Sequence, residues 1–559
     1  MFYDLYVEYG KKNYVILIIS FLCNISITLD KIGLPHYYGK LISSLKAGRV
    51  KSIKYFFVIL ILIWAGVQFL NLLREAVYSK IFPSFVAFVR NKLVGRVFES
   101  NKANYQDLET GKLLTKLSSA PGILYGIARE TRNIMLKNFF TYISTFFYLF
   151  AYDNFVGLVY VICIIVIVFV TYVYINTCKK YVRANEEVYV DLNEQIDDTM
   201  TNLMSIYTSS QIKNEKKRVD KFNQNSSKKD AELILYNVRY KSLFAITFII
   251  IFIFLNYVSF QAYLEKRVKL DTLVSIVIIN YSLLQQMMHI FYDIKDFMNY
   301  RERIKLLDEY LDSFPKSKKY TRVSNQKTNE VFKQDFCKVE FKNLGFSYQK
   351  TPLFRNFNLT IEPREKVGLI GNIGSGKSTL VKLLVGLKSE YTGQILVNGK
   401  DITTLNLDKL RKYISYIPQH PKLFDRTLYE NIIYGLEENT PPEKEIYKVL
   451  EKANLQDVAD KFKKIMHDKV GKNGNKISGG QRQIVWLIRS LLKETRMIIL
   501  DEPTSSLDED NADKVISLIE ELSKKRNIIL ITHDPQALKN MTRIIKLKKG
   551  QIIEDKKVR

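Results

Sequence analysis

The run GNIGSGKST, at residues 371–379, joins three glycines to a lysine that is followed by two hydroxyl residues. An apolar run, KVGLI, precedes it and a helical pattern, LVKLLVGL, follows it, which is the strand–loop–helix context of a phosphate-binding loop. The glycines let consecutive backbone N–H groups turn toward phosphate oxygens at the start of a helix. We expect Lys377 to reach the β- and γ-phosphates of ATP or GTP, and the Ser378 hydroxyl to ligate Mg²⁺. The predicted nucleotide-binding residues of this loop are Gly371, Asn372, Ile373, Gly374, Ser375, Gly376, Lys377, Ser378 and Thr379.

Two adjacent carboxylates follow the apolar run MIIL in the segment MIILDEPTSSLD. A short apolar run of this kind is typical of a buried central strand, and α/β active sites gather at the ends of such strands. We expect Asp501 to belong to the Mg²⁺ shell. Glu502 points to the other side of the strand end and is predicted to orient or deprotonate the attacking water.

Two further polar residues stand just past β-branched runs. His533 follows IILIT, and Gln419 follows ISYIP. On position alone, His533 is as compatible with a structural role as with a catalytic one. For Gln419 the alternatives are a contact with the metal and a plain turn. We predict both as catalytic-site residues, and Gln419 also as a ligand of Mg²⁺.

A second glycine motif, ISGGQ, opens the helical pattern QRQIVWLIRSLL. Two adjacent glycines between a serine and a glutamine look like another phosphate grip at a helix N-terminus. Its presence about a hundred residues after the first grip raises the question of which nucleotide it serves. The residues concerned are Ser478, Gly479, Gly480 and Gln481.

The first 300 residues contain apolar runs long enough to cross the roughly 30 Å hydrocarbon core of a bilayer. The clearest are YFFVILILIWAGVQFLNLL and FVGLVYVICIIVIVFVTYVYI. One such run would also suit a buried helix of a soluble protein, but six with repeated spacing favour a membrane domain. The predicted spans are 14–32, 55–73, 136–152, 155–175, 242–262 and 272–292.

The connections between these spans are unequal. Residues 74–137 hold 11 Lys or Arg and residues 176–241 hold 12, in long polar segments with helical periodicity. The positive-inside rule therefore places these segments, and both termini, in the cytoplasm of a plasma or inner membrane protein. One stretch disagrees, because residues 30–54, expected to face outward, hold six Lys or Arg and a single acid. The first span has no small-residue cleavage site behind it, so we expect it to remain as an anchor.

The pattern changes after residue 312. The segment PKSKKYTRVSNQKTNE is polar, aperiodic and charged, and residues 313–335 are the predicted linker. Beyond it, short β-branched runs alternate with helical stretches, which predicts a largely parallel sheet. The predicted protein is a multi-domain membrane protein, with an all-α six-span transmembrane domain at 1–312 and a cytosolic α/β P-loop ATPase domain at 336–559.

Charge and cysteine content argue against a nucleic-acid partner and against disulfide bonds or a metal site. The chain has a net charge of +27, but Lys and Arg outnumber Asp and Glu 43 to 28 in residues 1–330 and 41 to 29 in residues 331–559. Because both halves share the excess, it does not predict a nucleic-acid partner. The cysteines form no CxxC pair and have no neighbouring His cluster, so we expect reduced, structural thiols. They are Cys23, Cys163, Cys178 and Cys337.

Seven motifs, FSYQ, GNIGSGKST, YIPQ, ISGGQRQ, IILDEP, SSLD and ITHD, follow one another in the order that ATP-binding cassette (ABC) transporters show. The chain resembles this family over essentially its whole length, most specifically in the second half. The resemblance implies that Tyr348 stacks on adenine, that Gln419 senses Mg²⁺ and faces the membrane domain, and that His533 contacts the γ-phosphate. It also places Asp508 in the loop that crosses between two such domains.

The order of the domains resembles the exporter type, a half-transporter whose six spans precede its own ATPase. The resemblance implies ATP-driven export or flipping of a substrate by a dimer, in which Ser478, Gly479, Gly480 and Gln481 close on the nucleotide held by the partner's 371–379 loop. A homodimer is the first expectation, and a heterodimer with a related half-transporter is the second. The residues before Tyr14 leave no room for a peptidase domain, so the peptide-processing type is not expected. An ATP-gated channel or membrane regulator is the alternative, whereas six spans contradict a soluble P-loop kinase or helicase.

Several residues depart from the family pattern. Ile477 stands where Leu is usual, Lys472 and Asn473 replace an acid and a base, and Ser506 replaces a common Ala. The change at 472–473 bears on how this loop meets the cytoplasmic helices and not on ATP binding.

Gln286, His289 and Asp293 near the end of the sixth span recur at helical spacing and would share one face. Polar groups inside a membrane often line a pathway, but an exit of this helix from the membrane near His289 is the simpler explanation. The cargo stays open among lipid-linked glycans, lipids, peptides and hydrophobic drugs.

Overall fold

The computed structural model describes residues 2–100, 110–312, 326–348, 351–436, 441–493, 495–505, 507–524 and 526–558. These residues form two compact units, of which the first contains residues 2–99 and 110–312 and the second contains the described residues from 326 onward. Most of the predicted linker, 313–325, lies outside the described residues. Its last part forms a 3₁₀ helix at Gln326–Lys333.

The first unit consists of helices and the turns between them in its described residues. Four of its helices have more than 40 residues, which is longer than a bilayer requires, so their polar halves extend beyond the apolar spans. The helices are α1 (Phe2–Lys12), α2 (Tyr14–Leu22), α3 (Ile25–Thr28), α4 (Leu34–Lys46), α5 (Val50–Ser100), α6 (Thr110–Arg132), α7 (Asn138–Tyr152), α8 (Asn154–Thr201), α9 (Leu203–Thr208), α10 (Ile212–Leu264) and α11 (Leu270–Asp312). Single π-helical turns, Leu29–Gly33 and Asn133–Lys137, precede α4 and α7.

Six helical segments of the described residues are long and apolar enough to cross a membrane, and each contains one predicted span. They are Tyr14–Lys46, Val50–Glu99, Leu117–Tyr152, Asn154–Thr201, Ile212–Leu264 and Leu270–Tyr310. The predicted six-span fold is thereby confirmed. The first segment is interrupted after Leu22, where the Asn24 side chain donates to the carbonyls of Ser20 and Phe21 and competes with the helical hydrogen bonds.

The membrane unit has its core between α8, α10 and α11. Tyr160, Tyr174, Phe244, Phe248 and Ile276 are among its fully buried side chains. On α10 and α11 the buried core positions recur mostly at three- or four-residue steps, as expected for faces that pack together.

The polar residues singled out on the sixth span have different surroundings. Gln286 is buried, and its amide donates to Asn138 Oδ1 at 2.7 Å and accepts from the Thr141 hydroxyl at 3.1 Å. His289 is exposed and Asp293 is half-buried. The hydrogen-bonding groups of Gln286 therefore join α11 to α7, while His289 lies on the surface of this unit.

Two short connections at one end of the membrane unit are tied together by an ion pair. Asp153 caps α8 by accepting from the Val156 N–H at 2.9 Å, and its second carboxylate oxygen accepts from Arg267 in the connection between α10 and α11. Arg267 also contacts Glu265 at 2.7 Å. Asp153 thus links the start of α8 to the connection between α10 and α11.

The second unit is an α/β domain with two sheets. Its strands are β1 (Val339–Tyr348), β2 (Thr351–Ile361), β3 (Lys366–Gly371), β4 (Tyr391–Val397), β5 (Lys400–Asp401), β6 (Ile414–Ile417), β7 (Met497–Asp501), β8 (Asn527–Ile531), β9 (Arg543–Lys548) and β10 (Gln551–Lys557). Its helices are α12 (Lys377–Leu384), α13 (Leu407–Tyr413), α14 (Leu428–Ile432), α15 (Glu443–Lys452), α16 (Gln456–Ile465), α17 (Gly479–Leu492), α18 (Glu509–Ser523) and α19 (Pro535–Leu538).

The larger sheet has the order β10-β9-β3-β8-β7-β6, and its central strands are parallel. The smaller sheet has the order β2-β1-β4-β5 and is antiparallel. Strands β7 and β8 are buried at every residue, which matches their continuous apolar sequences MIIL and IILI. Because β3, β6, β7 and β8 run in the same direction, the residues that follow them meet at one edge of the sheet.

Candidate functional site

The loop from Gly371 to Lys377 connects β3 to α12, as its glycine spacing predicts. Gly374 and Gly376 have φ angles of +79° and +106°, which side chains rarely adopt. A Cβ on Gly376 would also lie 2.8 Å from the Phe354 ring. The loop can therefore curl only because glycines stand at these positions.

Two polar groups inside this loop fit a phosphate ligand. The Lys377 ammonium is buried and donates to the carbonyls of Gly371 and Asn372. Burial lowers the pKa of Lys377, while the Glu502 and Asp501 carboxylates act in the opposite direction. The Ser375 hydroxyl is buried without a hydrogen-bond partner among the described residues. Phosphate oxygens would supply the anion and the acceptor that these groups need.

Tyr348, the residue expected to stack on adenine, lies beside the same loop. Its hydroxyl is 2.9 Å from the Thr379 hydroxyl, and its ring contacts Phe346 edge to face. The ammonium of Lys388, a buried residue, lies 5.0 Å from the centre of the Tyr348 ring. The Tyr348 side chain is 46% exposed, so part of its ring remains open to a base.

Asp501 and Ser378 are brought together by the parallel strands β3 and β7. The Ser378 hydroxyl donates to Asp501 Oδ1 at 2.9 Å, and the Tyr416 hydroxyl donates to Asp501 Oδ2 at 3.0 Å. Burial, together with Asp501, raises the pKa of Tyr416, so this hydroxyl remains a donor. A hydroxyl and a carboxylate oxygen are ligands that Mg²⁺ prefers, so the pair fits this ion. Phosphate and water oxygens would complete a site of this kind.

Glu502 faces Gln419 and His533, whereas the neighbouring Asp501 contacts other residues. Its φ of +49° is in the left-handed region, and its N–H donates to the Ile531 carbonyl at 2.8 Å. The Gln419 amide donates to Glu502 Oε2 at 2.7 Å, and His533 Nε2 lies 3.9 Å from Glu502 Oε1. An unusual backbone angle held by neighbouring hydrogen bonds is a frequent feature of functional sites. The two adjacent carboxylates thus diverge, one toward the hydroxyl of Ser378 and one toward an amide and an imidazole.

The ISGGQ motif forms the N-terminus of α17. The Ser478 hydroxyl accepts from the Gln481 N–H at 3.2 Å, and the Gln481 side chain accepts from the Ser478 N–H at 3.0 Å. The N–H groups of Gly479 and Gly480, in the first turn of the helix, have no partner within it. Of the hydrogen bonds between described residues, none joins this motif to the 371–379 loop.

The loop that contains Asp508 contacts the ISGGQ motif through Asn511. Asp508 caps α18 by accepting from the Asn511 N–H at 2.9 Å, and its second oxygen accepts from the Asn511 amide at 3.0 Å. A Cβ on Gly480 would lie 2.8 Å from the Asn511 amide carbon. Gly480 is therefore required by the close approach of α18. Ser506, in the same loop, lies outside the described residues.

A cleft of about 390 Å³ joins residues of the YIPQ, ISGGQRQ, IILDEP and SSLD motifs. Gln419, Gly479, Arg482 and Glu502 are among its lining residues, with Asn473 on the same wall. Asn473 has a φ of +59°, a conformation that Asn tolerates better than most residues, and this accounts for an Asn at this turn.

The residue before ISGGQ is part of the core of this unit. Ile477 is 8% exposed and packs in the core beneath α17, so an aliphatic side chain is what the position requires.

The structure adds three contacts of the predicted site residues that the motifs do not contain. Tyr416, Lys388 and Asn511 touch Asp501, Tyr348 and Asp508 respectively. Tyr416 lies on β6, three residues before Gln419. The pairing of β6 with β7 is the signal that would have identified Tyr416 as a neighbour of Asp501.

Two family models match the chain. The one described as ABC transporter transmembrane region matches residues 17–288, and the one described as ABC transporter matches residues 354–505. This chain belongs to the ABC transporter family. Its membrane region and its ATP-binding region are fused in one polypeptide, as the order of the motifs predicted.

Curated relatives match this ABC transporter over part of their lengths. The ATP-dependent lipid A-core flippase of Syntrophus aciditrophicus is 39% identical over 218 residues, which are 39% of this chain and 36% of that protein. A putative export ATP-binding/permease protein of Rickettsia bellii is 35% identical over 217 residues, 38% of this chain and 37% of the relative. The chain thus spans just over a third of the length of each of these two relatives.

A solved structure of a bacterial Atm1-family ABC exporter with ATP bound has the same fold. The TM-score is 0.86 at 16% sequence identity, over 98% of this ABC transporter and 95% of the other chain. At this identity the similarity establishes the fold of both regions and nothing about the cargo.

Proposed function

We propose that this ABC transporter hydrolyses ATP to export or flip a substrate across the membrane, as a dimer of half-transporters that alternates between inward- and outward-facing states. The observation that carries the proposal is that the two predicted phosphate-binding motifs, 371–379 and 477–481, share no hydrogen bond among the described residues. A second chain would bring its own 477–481 motif to the nucleotide bound by the first. The flippase and export proteins among its relatives support this direction of transport.

The chemistry of the proposed site follows from the contacts of its carboxylates. Lys377 and the loop N–H groups would bind the phosphates, and Tyr348 would bind the base. Mg²⁺, when bound by Ser378 and Asp501, neutralises charge that develops on the phosphates. Glu502 would accept a proton from the attacking water, with Gln419 and His533 orienting its two carboxylate oxygens.

In the proposed dimer, ATP binding changes the equilibrium between the open and the closed conformation. ATP shifts an equilibrium only toward the state that it binds more tightly, which here is the dimer closed around two nucleotides. Closure would turn the membrane cavity outward and hydrolysis would reset it. With the long polar segments in the cytoplasm, the ATP-binding unit and both termini lie on the inner side of the membrane.

A mixing experiment tests whether each site is shared between two chains. Lys377→Ala should remove ATP binding at a chain's own loop, and Ser478→Arg should block the motif offered to the partner. Each variant alone should lose ATPase activity in liposomes. When equal amounts of both variants are reconstituted together, about half of the dimers are mixed, and each mixed dimer has one intact site of its two. About a quarter of the wild-type ATPase activity per chain should therefore return. No recovery, with mixed dimers shown by co-purification, would contradict a shared site.

The direction and the cargo of transport need their own measurement. When ATP is added outside proteoliposomes, it reaches only the molecules whose ATP-binding unit faces outward, and for these molecules export is uptake into the vesicle. A panel of lipids, lipid-linked glycans, peptides and drugs can therefore be screened for uptake. Cargo should stimulate ATPase activity and accumulate inside only with hydrolysable ATP. Uncoupled ion currents without cargo movement would favour an ATP-gated channel.

A further inference from the structure

Residues 30–54 hold six cations and one acid, and the structure separates them into two groups. Lys31 pairs with Asp30 at 3.1 Å, and the Lys40 ammonium lies 5.4 Å from the centre of the Tyr37 ring. The remaining four make no ion pair with any described residue. These four residues, which we call the basic tip, are Lys46, Arg49, Lys51 and Lys54, and all are exposed.

The basic tip is held on a tight turn between α4 and α5. Gly48 has a φ of +63°, and the Arg49 N–H donates to the Ser44 carbonyl at 3.1 Å across the end of α4. This is the hydrogen bond of a glycine-terminated helix, which fixes the direction of the chain after it. The four cations are therefore carried on a defined hairpin and not on a loose loop.

Among the described residues, no acidic side chain at the same end of the unit forms an ion pair with the basic tip. Residues 31–74 contain no Asp or Glu. On the neighbouring connections, Asp153 and Glu265 both contact Arg267, and Asp271 accepts from the Thr272 N–H at 2.9 Å. The like charges of the tip repel one another, and this repulsion falls when anions gather around them.

The basic tip lies beyond the point where α4 meets the start of α11. A Cβ on Gly39 would collide with the Asp271 carbonyl, so this point of α4 lies against the start of α11. Helix α4 continues for seven residues beyond it, or about 10 Å at the rise of an α-helix. Next to the tip, Ile42, Leu45 and Tyr55 are exposed, as suits side chains at the boundary of the hydrocarbon core.

We propose that the basic tip binds the phosphate groups of anionic lipids in the leaflet that it touches. The observations that carry the proposal are four exposed cations without an ion pair among the described residues, the fixed hairpin that carries them, the lack of any acid in residues 31–74, and the exposed apolar side chains beside the hairpin. Cations at a membrane surface attract anionic lipids over roughly a Debye length. The binding is independent of the transported cargo and of the direction of transport.

The purified full-length protein in vesicles tests this surface. The fraction of lipid immobilised on the protein is measured with spin-labelled phosphatidylglycerol and with spin-labelled phosphatidylcholine. The ratio of the two fractions gives the preference for an anionic lipid. A variant with Lys46, Arg49, Lys51 and Lys54 all changed to Gln should lose at least threefold of that preference. A matched variant with exposed Lys213, Lys216, Lys217 and Lys221 on α10 changed to Gln loses the same charge and should keep it.

Any of three outcomes would overturn the proposal. The first is an unchanged preference in the tip variant when its elution volume and basal ATPase activity show an intact protein. The second concerns the wild-type protein, and so needs no folded variant: its preference should fall as NaCl rises from 50 to 500 mM, because salt screens exposed charges. A preference that is insensitive to salt, or that falls equally in the α10 variant, contradicts the basic tip as its source.

Discussion

The Gln419 amide nitrogen lies 2.7 Å from a carboxylate oxygen of Glu502. The two residues are 83 positions apart and meet because β6 and β7 are adjacent parallel strands. Gln419 is thereby a neighbour of the proposed base, while the proposed Mg²⁺ ligands Ser378 and Asp501 contact each other. Whether Gln419 also ligates the ion stays a prediction.

Glu502→Gln should abolish ATP hydrolysis and keep ATP binding. The amide has nearly the shape of the carboxylate but cannot accept the proton from water, and general-base catalysis is worth about 10²–10⁴-fold in rate. ATPase activity and the affinity for a fluorescent ATP analogue should be measured together. The exposed Glu554→Gln on β10 is a control that should change neither. Undiminished hydrolysis in Glu502→Gln would remove Glu502 from the mechanism.

Ser478→Arg should cripple turnover while ATP binding to each chain stays nearly unchanged. The arginine would occupy the space at the N-terminus of α17 that a nucleotide on the partner is proposed to reach. Ser478→Ala is a milder test, because it removes only the cap hydroxyl, at a cost of about 1 kcal/mol to the helix. Binding by isothermal titration and ATPase rates separate the two effects. A parallel loss of ATP binding in Ser478→Arg would point to damage within its own chain.

Lys388→Met should weaken ATP binding by roughly 2- to 30-fold, which corresponds to the range of about 0.5–2 kcal/mol for a cation over an aromatic ring. We expect Lys388 to hold the Tyr348 ring in position for the base, while Met preserves most of the volume. Inorganic tripolyphosphate has no base, so its affinity should be unaffected. Combining Lys388→Met with Tyr348→Leu provides the control, since the lysine change should then have no further effect. Equal weakening for tripolyphosphate would mean that Lys388 attracts phosphate.

Gln286→Leu should destabilise the membrane unit by about 0.6 kcal/mol, the average for a hydrogen bond between membrane helices, and by at most about 1.7 kcal/mol. The substitution leaves Asn138 without its 2.7 Å donor and Thr141 without its 3.1 Å acceptor. Thermal unfolding in detergent should show a lower midpoint than the wild type. His289→Leu, three residues along the same helix but exposed, is the comparison and should shift the midpoint less. An equal shift in both variants would show that the α7–α11 hydrogen bonds contribute little.

Much of the fold was predictable because its signals are local. Six apolar runs have to be satisfied by six helices, since an unpaired backbone cannot cross hydrocarbon. The glycines at 374 and 376 predicted the shape of the phosphate loop, because few other residues reach their φ angles. Boundaries were less predictable, and the first span is interrupted at Asn24, where a side chain competes with the backbone.

The sequence by itself determined the family, the six spans and the residue types of the proposed ATP site, because each depends on a short motif or a periodicity within one segment. Only the tertiary structure decided which of these residues meet. Tyr416 reaches Asp501, Lys388 reaches Tyr348, and Gln286 reaches Asn138 through neighbouring strands and packed helices. The cations of residues 30–54 look alike in sequence, yet just two of them have partners among the described residues. A side chain has a partner only if the fold brings a suitable group within a few ångströms. The separation of two residues along the sequence does not tell whether this happens.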